Sequence, residues 1–181
     1  MQACARLQET LVTRDPRLLS ALIPLEKLHT TLCMVNVSSA TEIATVHRVV
    51  AENQHLVNEY MTTEDHSIAL NGVSTFGNRV LYAQVDSTAI RSVATMLQQR
   101  LRENGVNLVG NHEPFQAHVT LCKLSGRNHS IDASIDGDLM ADCPLGSLRI
   151  NTIDFCAVGS KHLDPSTPRS FSRLQSSGRA R

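Results

Sequence analysis

Apolar positions along the chain recur with two periods, and the switches between them divide it into elements. Ala5 to Leu11 is helix-prone, and Asp15-Pro16 reads as an N-cap followed by proline at the first position of a second short helix. Leu18, Leu19 and Leu22 give that helix an apolar face, and Pro24 ends it, because the residue before a proline is pushed out of helical conformation. Leu28 to Val37, rich in Thr, Val and Leu, predicts a strand. Ser39, with Glu42 three residues on, is a capping box. It opens a helix from about Thr41 to Asn58, where Ile43, Val46, Val49, Val50 and Leu56 recur at helical spacing. Two strands follow, about His66–Val73 and Arg79–Val85, joined through Ser74-Thr75-Phe76-Gly77-Asn78 as a hairpin. Asp86-Ser87 caps a helix over Thr88–Glu103 with Ile90, Val93, Met96, Leu97 and Leu101 as its buried stripe, and Gly105 suits its C′ position. Val106–Val109 is short and extended, and Gln116–Leu124 is a strand. Ser125–Cys143 is an irregular, Asp-containing surface loop, and Gly146–Val158 ends in a last strand.

Strands and helices alternate, but several strands are hairpin-linked, which favours α+β with antiparallel sheet over a doubly wound parallel sheet. The 181 residues suit one domain, expected over residues 1–158. From Gly159 the chain is rich in Ser, Pro and Arg and reads as a disordered basic tail over 159–181.

Composition narrows the function classes. Lys+Arg and Asp+Glu are 17 each, so the net charge of zero excludes a polybasic wrapper of nucleic acid. Aromatic residues are 3% with no Trp, which argues against a broad base-stacking surface. No run approaches the roughly 18 apolar residues of a membrane span, and Met1–Thr13 lacks the apolar stretch of a secretory signal. Five cysteines, Cys4, Cys33, Cys122, Cys143 and Cys156, include no CxxC, so reduced thiols in the cytoplasm or nucleus are expected rather than disulfides or structural zinc.

The chemistry lies in a repeat. Leu28-His29-Thr30-Thr31-Leu32-Cys33 and Ala117-His118-Val119-Thr120-Leu121-Cys122 each contain His-x-Thr-Leu-Cys in an apolar strand pattern. With a strand period of two, His29 and Thr31 share one face of their strand, and so do His118 and Thr120. One His alone on a strand is ordinarily a core or surface residue; two matching segments in matching context are not explained that way. Two such strands brought together would set two imidazoles and two hydroxyls around one site. That suits phosphoester chemistry without a metal: one imidazole takes a proton, the other gives one, and the hydroxyls donate to phosphate oxygens. The His are not at i, i+4 and no carboxylate joins either motif, so no metal or other cofactor is expected. Cys33 and Cys122 read as small core residues.

These residues resemble the 2H phosphoesterase superfamily, named for paired His-x-Thr-hydrophobic motifs, and within it the A-kinase anchor protein seven-like phosphoesterase domain. Lys27–Leu32, the hairpin Gly72–Asn78, Glu103-Asn104-Gly105, Phe115–Leu124 with Lys123, and Gly146–Cys156 carry the likeness, over about Ala5–Val158. It implies a bilobal α+β fold, with two pseudo-symmetric antiparallel sheets and flanking helices around a central cleft. It also implies His29 and His118 as the catalytic pair and Thr31 and Thr120 as phosphate-binding hydroxyls. Thr31, His118, Thr120 and the backbone of Val119 would bind substrate, while Phe76 or Phe115 either stacks on a base or belongs to the core, the two roles being evenly matched. Family members usually open on an apolar strand. This chain starts at Gln2-Ala3-Cys4-Ala5, so that first strand is expected to be missing and one edge of Leu28–Val37 partly open.

The function expected from this is a hydrolase: a metal-independent phosphodiesterase for 2′,3′-cyclic or 2′,5′-linked oligonucleotide phosphodiesters. The alternatives are a nucleotide-binding module that senses AMP or CMP with little catalysis, and an RNA or protein interaction domain. The expected partner is a nucleotide or oligonucleotide, with RNA a further candidate, and the chain is expected to act as a monomer. No extended amphipathic helix is present to dock a kinase regulatory dimer, so kinase anchoring is not carried over.

Overall fold

The computed structural model describes residues 2–62, 67–110, 114–125, 130–131, 144–149, 152–156 and 173–175. They form an α+β fold with antiparallel sheets, divided into two compact units interleaved along the chain. The first unit takes residues 1–31, 67–88 and 116–149, and the second takes 32–66, 89–115 and 150–181.

The first unit is built on a four-stranded antiparallel sheet. Its strands are β2 (Ser67–Phe76), β3 (Val80–Asp86), β5 (His118–Lys123) and β6 (Pro144–Arg149), in the order β5-β3-β2-β6. Strand β2 runs further than the sequence pattern predicts. Ser74, Thr75 and Phe76 pair with Tyr82, Leu81 and Val80, and the connection shrinks to a tight turn closed by Arg79 N–H donating to the Phe76 carbonyl at 3.1 Å. Gly77 and Asn78 have φ of 54° and 52°. Two successive left-handed residues let the chain reverse tightly, and Gly and Asn tolerate that conformation best. Leu81, Ala83, Val119 and Leu121 are completely buried in the core of this unit. Each of the larger ones contributes roughly 1.5–3 kcal/mol.

Helix α1 (Gln2–Arg14) packs on β5 and β6 and buries Cys4, Leu7 and Leu11. Asp15 then caps a 3₁₀ turn, Pro16–Ala21, by accepting from Arg17 N–H, as the Asp-Pro pair predicts. The outer edge of β5 is not left open here. Leu22 bridges Cys122, and Ile23 N–H donates to the Leu121 carbonyl at 2.9 Å. The buried Gln8 amide donates to the Leu121 and Ile23 carbonyls at 3.0 and 2.7 Å. A buried glutamine is tolerated there because its amide N–H groups find backbone acceptors.

In the second unit, Ser39 and Glu42 form the expected capping box at the start of α2 (Ala40–Glu52). The single helix predicted over Thr41–Asn58 is instead two. Asn53, at φ −99° and ψ 9°, turns its side chain back to the Val49 carbonyl and breaks the run, and α3 (Gln54–Thr62) follows. Helix α4 (Thr88–Glu103) matches its predicted span, burying Ile90, Val93, Leu97 and Leu101. It ends in a Schellman motif: Val106 N–H donates to the Leu101 carbonyl and Gly105 N–H to that of Arg102, with Gly105 at φ +76°. Val46, Val49, Leu101 and Val106 make the core, against which Cys33, Val35, Leu108 and Phe155 pack.

Leu28–Val37 is not the continuous strand its pattern predicts. Thr30 alone bridges β5, and Val35–Asn36 (β1) pair with Asn107–Leu108 (β4). The segment leaves the first unit after Thr31 and enters the second at Leu32, so its two ends pair with different strands. Gln98 of α4 donates to the Leu32 carbonyl at 2.9 Å between them. Thr152–Asp154 (β7) pair with Arg173–Gln175 (β8), so those three residues of the expected tail are extended rather than irregular. Most of the expected Ser125–Cys143 loop and of the 159–181 tail lies outside the described residues. No helix among the described residues is long and apolar enough to cross a membrane.

Candidate active site

The two His-x-Thr segments meet in the first unit. Thr30 and Val119 pair as an isolated antiparallel bridge. Extending that register by one residue each way sets His29 opposite Thr120 and Thr31 opposite His118. Directly opposed residues in an antiparallel pair project from the same side, and alternate residues do too. All four side chains therefore share one face. Burial follows the same alternation: Val119 is fully buried and Thr30 Oγ1 is buried, while His29 and Thr31 are exposed and His118 and Thr120 half-exposed. The two histidines lie on a diagonal, a relation that spans roughly 7–8 Å between strands.

Both imidazoles are tethered the same way. His29 Nδ1 lies 2.8 Å from the Lys27 carbonyl, and His118 Nδ1 lies 2.9 Å from the Gln116 carbonyl. A carbonyl only accepts, so Nδ1 carries the proton in each bond. The neutral ring then presents Nε2 as a bare acceptor, and the imidazolium presents it as a donor. A histidine held at the i−2 carbonyl is repeated at both motifs.

Strands β3 and β2 widen the face. Tyr82 lies opposite both Thr120 and Ser74, and Gln84 lies opposite His118. Phe76 stacks on Tyr82 with ring centroids 4.1 Å apart and 21° between planes, and its ring meets His118 edge-on at 5.0 Å. Phe76 remains 38% exposed, which leaves ring surface for a ligand. A bulge shifts the β3–β5 register, from Tyr82 opposite Thr120 to Leu81 opposite Cys122, with Leu121 the extra residue. It returns the exposed Lys123, opposite Val80, to the face that carries His118 and Thr120.

Of the residues singled out from the sequence, His29, Thr31, His118, Thr120 and Phe76 thus share one face. The Val119 side chain is in the core, so only its backbone is left to line a ligand. Phe115 belongs to the second unit and is half-buried there. The structure adds Tyr82 and Gln116, which sequence reasoning misses. Tyr82 sits between Leu81 and Ala83 in a strand-like stretch, where it reads as a core aromatic, and Gln116 is an ordinary polar residue until its partner is known. Burial pushes the Cys122 and Cys33 thiols up to about 11, so both are protonated, unreactive core groups. Among the described residues no three His, Cys, Asp or Glu side chains cluster as metal ligands would.

Comparison with known proteins gives a family match and similar folds. The profile of the AKAP7 2'5' RNA ligase-like domain matches residues 1–165. The crystal structure of TT0787 of Thermus thermophilus is similar with a TM-score of 0.51 at 15% identity, over 94% of this chain and 90% of that one. That of E. coli LigT complexed with 3'-AMP has a TM-score of 0.47 at 14% identity, again over 94% and 90%.

Proposed function

The chain belongs to the AKAP7 2'5' RNA ligase-like domain family, and from that premise we propose that it is a phosphodiesterase working by two-histidine acid–base catalysis without a metal ion. The substrates proposed are 2′,3′-cyclic or 2′,5′-linked oligonucleotide phosphodiesters. The observation that supports this reading is the Thr30–Val119 bridge, which brings the two His-x-Thr segments together in antiparallel sense.

One imidazole, through bare Nε2, takes a proton from water as the water oxygen bonds to phosphorus. The other, protonated, gives its Nε2 proton to the ribose oxygen as the P–O bond to that oxygen breaks. Proton count is conserved across the pair, and each ring ends in the other's starting state. Thr31 and Thr120 donate to the non-bridging oxygens, where negative charge grows in the transition state. Phe76 offers its free ring surface to a nucleobase, and Lys123 supplies positive charge along the same strand. Acid–base catalysis of this kind contributes about 10²–10⁴-fold.

The test is to incubate the protein with 2′,3′-cyclic and 2′,5′-linked adenylates under EDTA and identify the products. Phosphate monoesters formed at undiminished rate support the reading. Adenylate binding without any product would leave a nucleoside monophosphate sensor as the better one.

A further inference from the structure

His29 and His118 share a backbone tether, but only His118 is braced by side chains among the described residues. Gln116 supplies the carbonyl that receives His118 Nδ1–H at 2.9 Å, and its own side-chain amide bonds the Tyr82 hydroxyl at 3.1 Å. That bond survives either orientation of the amide, since a hydroxyl both donates and accepts. Tyr82 is 3% exposed and lies in the middle of β3, paired on both sides, so it is a rigid anchor. Its ring also meets His118 at 5.3 Å and 62°, while Phe76 closes the other approach at 5.0 Å. The next carbonyl along, that of Ala117, is already taken by Val85 N–H. At His29 the acceptor is the Lys27 carbonyl, at the end of the short 3₁₀ turn Leu25–Lys27, and among the described residues no aromatic ring packs on the imidazole.

We propose that Tyr82 and Gln116 are positioning residues for His118. The Gln116–Tyr82 bond pins the backbone just ahead of β5, so that the Gln116 carbonyl stays in line with Nδ1 and His118 holds Nε2 toward the site face. This rests on the reading of His118 as a catalytic imidazole, and it adds an asymmetry that the paired motifs do not contain: among the described residues, one histidine is oriented by a backbone tether braced by side chains, the other by a backbone tether without that brace. A buried tyrosine also needs a partner for its hydroxyl on general grounds, so the test must separate orientation of His118 from simple satisfaction of Tyr82.

The experiment uses the full chain, ¹⁵N-labelled, as wild type, Tyr82→Phe, Gln116→Leu and Gln116→Glu. Long-range ¹H–¹⁵N correlations, recorded above the ordinary imidazole titration range, report the tautomer of each ring. The wild type is expected to show His118 with its proton on Nδ1. Tyr82→Phe keeps the stacked ring and loses only the hydroxyl; it and Gln116→Leu should both shift His118 toward a mixture of tautomers and leave His29 unchanged. Gln116→Glu, whose carboxylate accepts from the Tyr82 hydroxyl, should restore the wild-type signal. On 2′,3′-cyclic adenylate, the first two variants should lose about tenfold in kcat with KM within about twofold. An unchanged His118 tautomer in both Tyr82→Phe and Gln116→Leu overturns the proposal, as does an equal shift at His29. If the wild type turns nothing over, the phosphodiesterase reading fails while the tautomer spectra still decide the positioning role.

Discussion

Thr30 lies directly opposite Val119 in an antiparallel bridge, and carrying that register one residue each way puts each histidine across from the other segment's threonine. An imidazole and a hydroxyl from different strands thereby flank each side of the diagonal. The arrangement predicts that Thr31→Val and Thr120→Val, which keep shape and lose the hydroxyl, each lower kcat by about 10²–10³-fold. Thr→Ser at either position should retain most of the activity. Steady-state kinetics on a cyclic adenylate check this, with thermal midpoints recorded to show that the folded state is intact.

Phe76 is exposed at the hairpin end, stacked on Tyr82 and edge-on to His118. Base–aromatic stacking is worth about 1–3 kcal/mol. Phe76→Ala is therefore expected to weaken adenylate binding roughly tenfold or more, and Phe76→Tyr to leave it nearly unchanged. Titration calorimetry with AMP measures both.

The thiol of Cys122 is raised from 9.0 to about 11, first by burial and second by the nearby Asp15 carboxylate. The folded protein then keeps a proton that the unfolded chain releases. Its stabilising effect is complete below pH 9.0 and is lost as pH rises toward about 11. The thermal midpoint should fall across that window, and Cys122→Val should make the fall shallower. An equal slope in the variant would assign the alkaline loss to other groups.

How far the sequence reaches depends on whether its determinants are local. Helix α4 is legible because its apolar stripe and its Gly105 terminus agree within one stretch. Leu28–Val37 is not, because a strand pattern does not say that Thr30 will pair with β5 and Val35 with β4. The sequence pattern places the hairpin loop too early: Ser74, Thr75 and Phe76 look like turn residues, yet the turn is confined to Gly77, Asn78 and Arg79. That difference matters to the site, since it moves Phe76 out of a loop and onto the sheet beside His118. The His-x-Thr pairs can be read from their repeat. The Tyr82–Gln116 contact joins residues far apart in the chain and leaves no trace in either segment alone.

The same turn gives a stability prediction. Gly77 sits at φ +54°, where a Cβ meets no neighbour but the backbone is strained for an L-residue. A left-handed residue costs roughly 1–2 kcal/mol. Gly77→Val should lower stability by about that amount and weaken AMP binding through displacement of Phe76, whereas Gly77→Asn should cost less. Denaturant unfolding and calorimetry on the same variants test both parts.

In the proposed mechanism His29 and His118 act on one phosphate in one chemical step. The most direct measurement is a double-mutant cycle on turnover of a 2′,3′-cyclic adenylate, with His29→Ala, His118→Ala and the double variant compared under EDTA. Groups that act as a unit are strongly non-additive. Each single variant should therefore lose most of the activity, and the double variant should be little slower than the worse single one. Losses that multiply, or a single variant that keeps near wild-type turnover, would contradict the account.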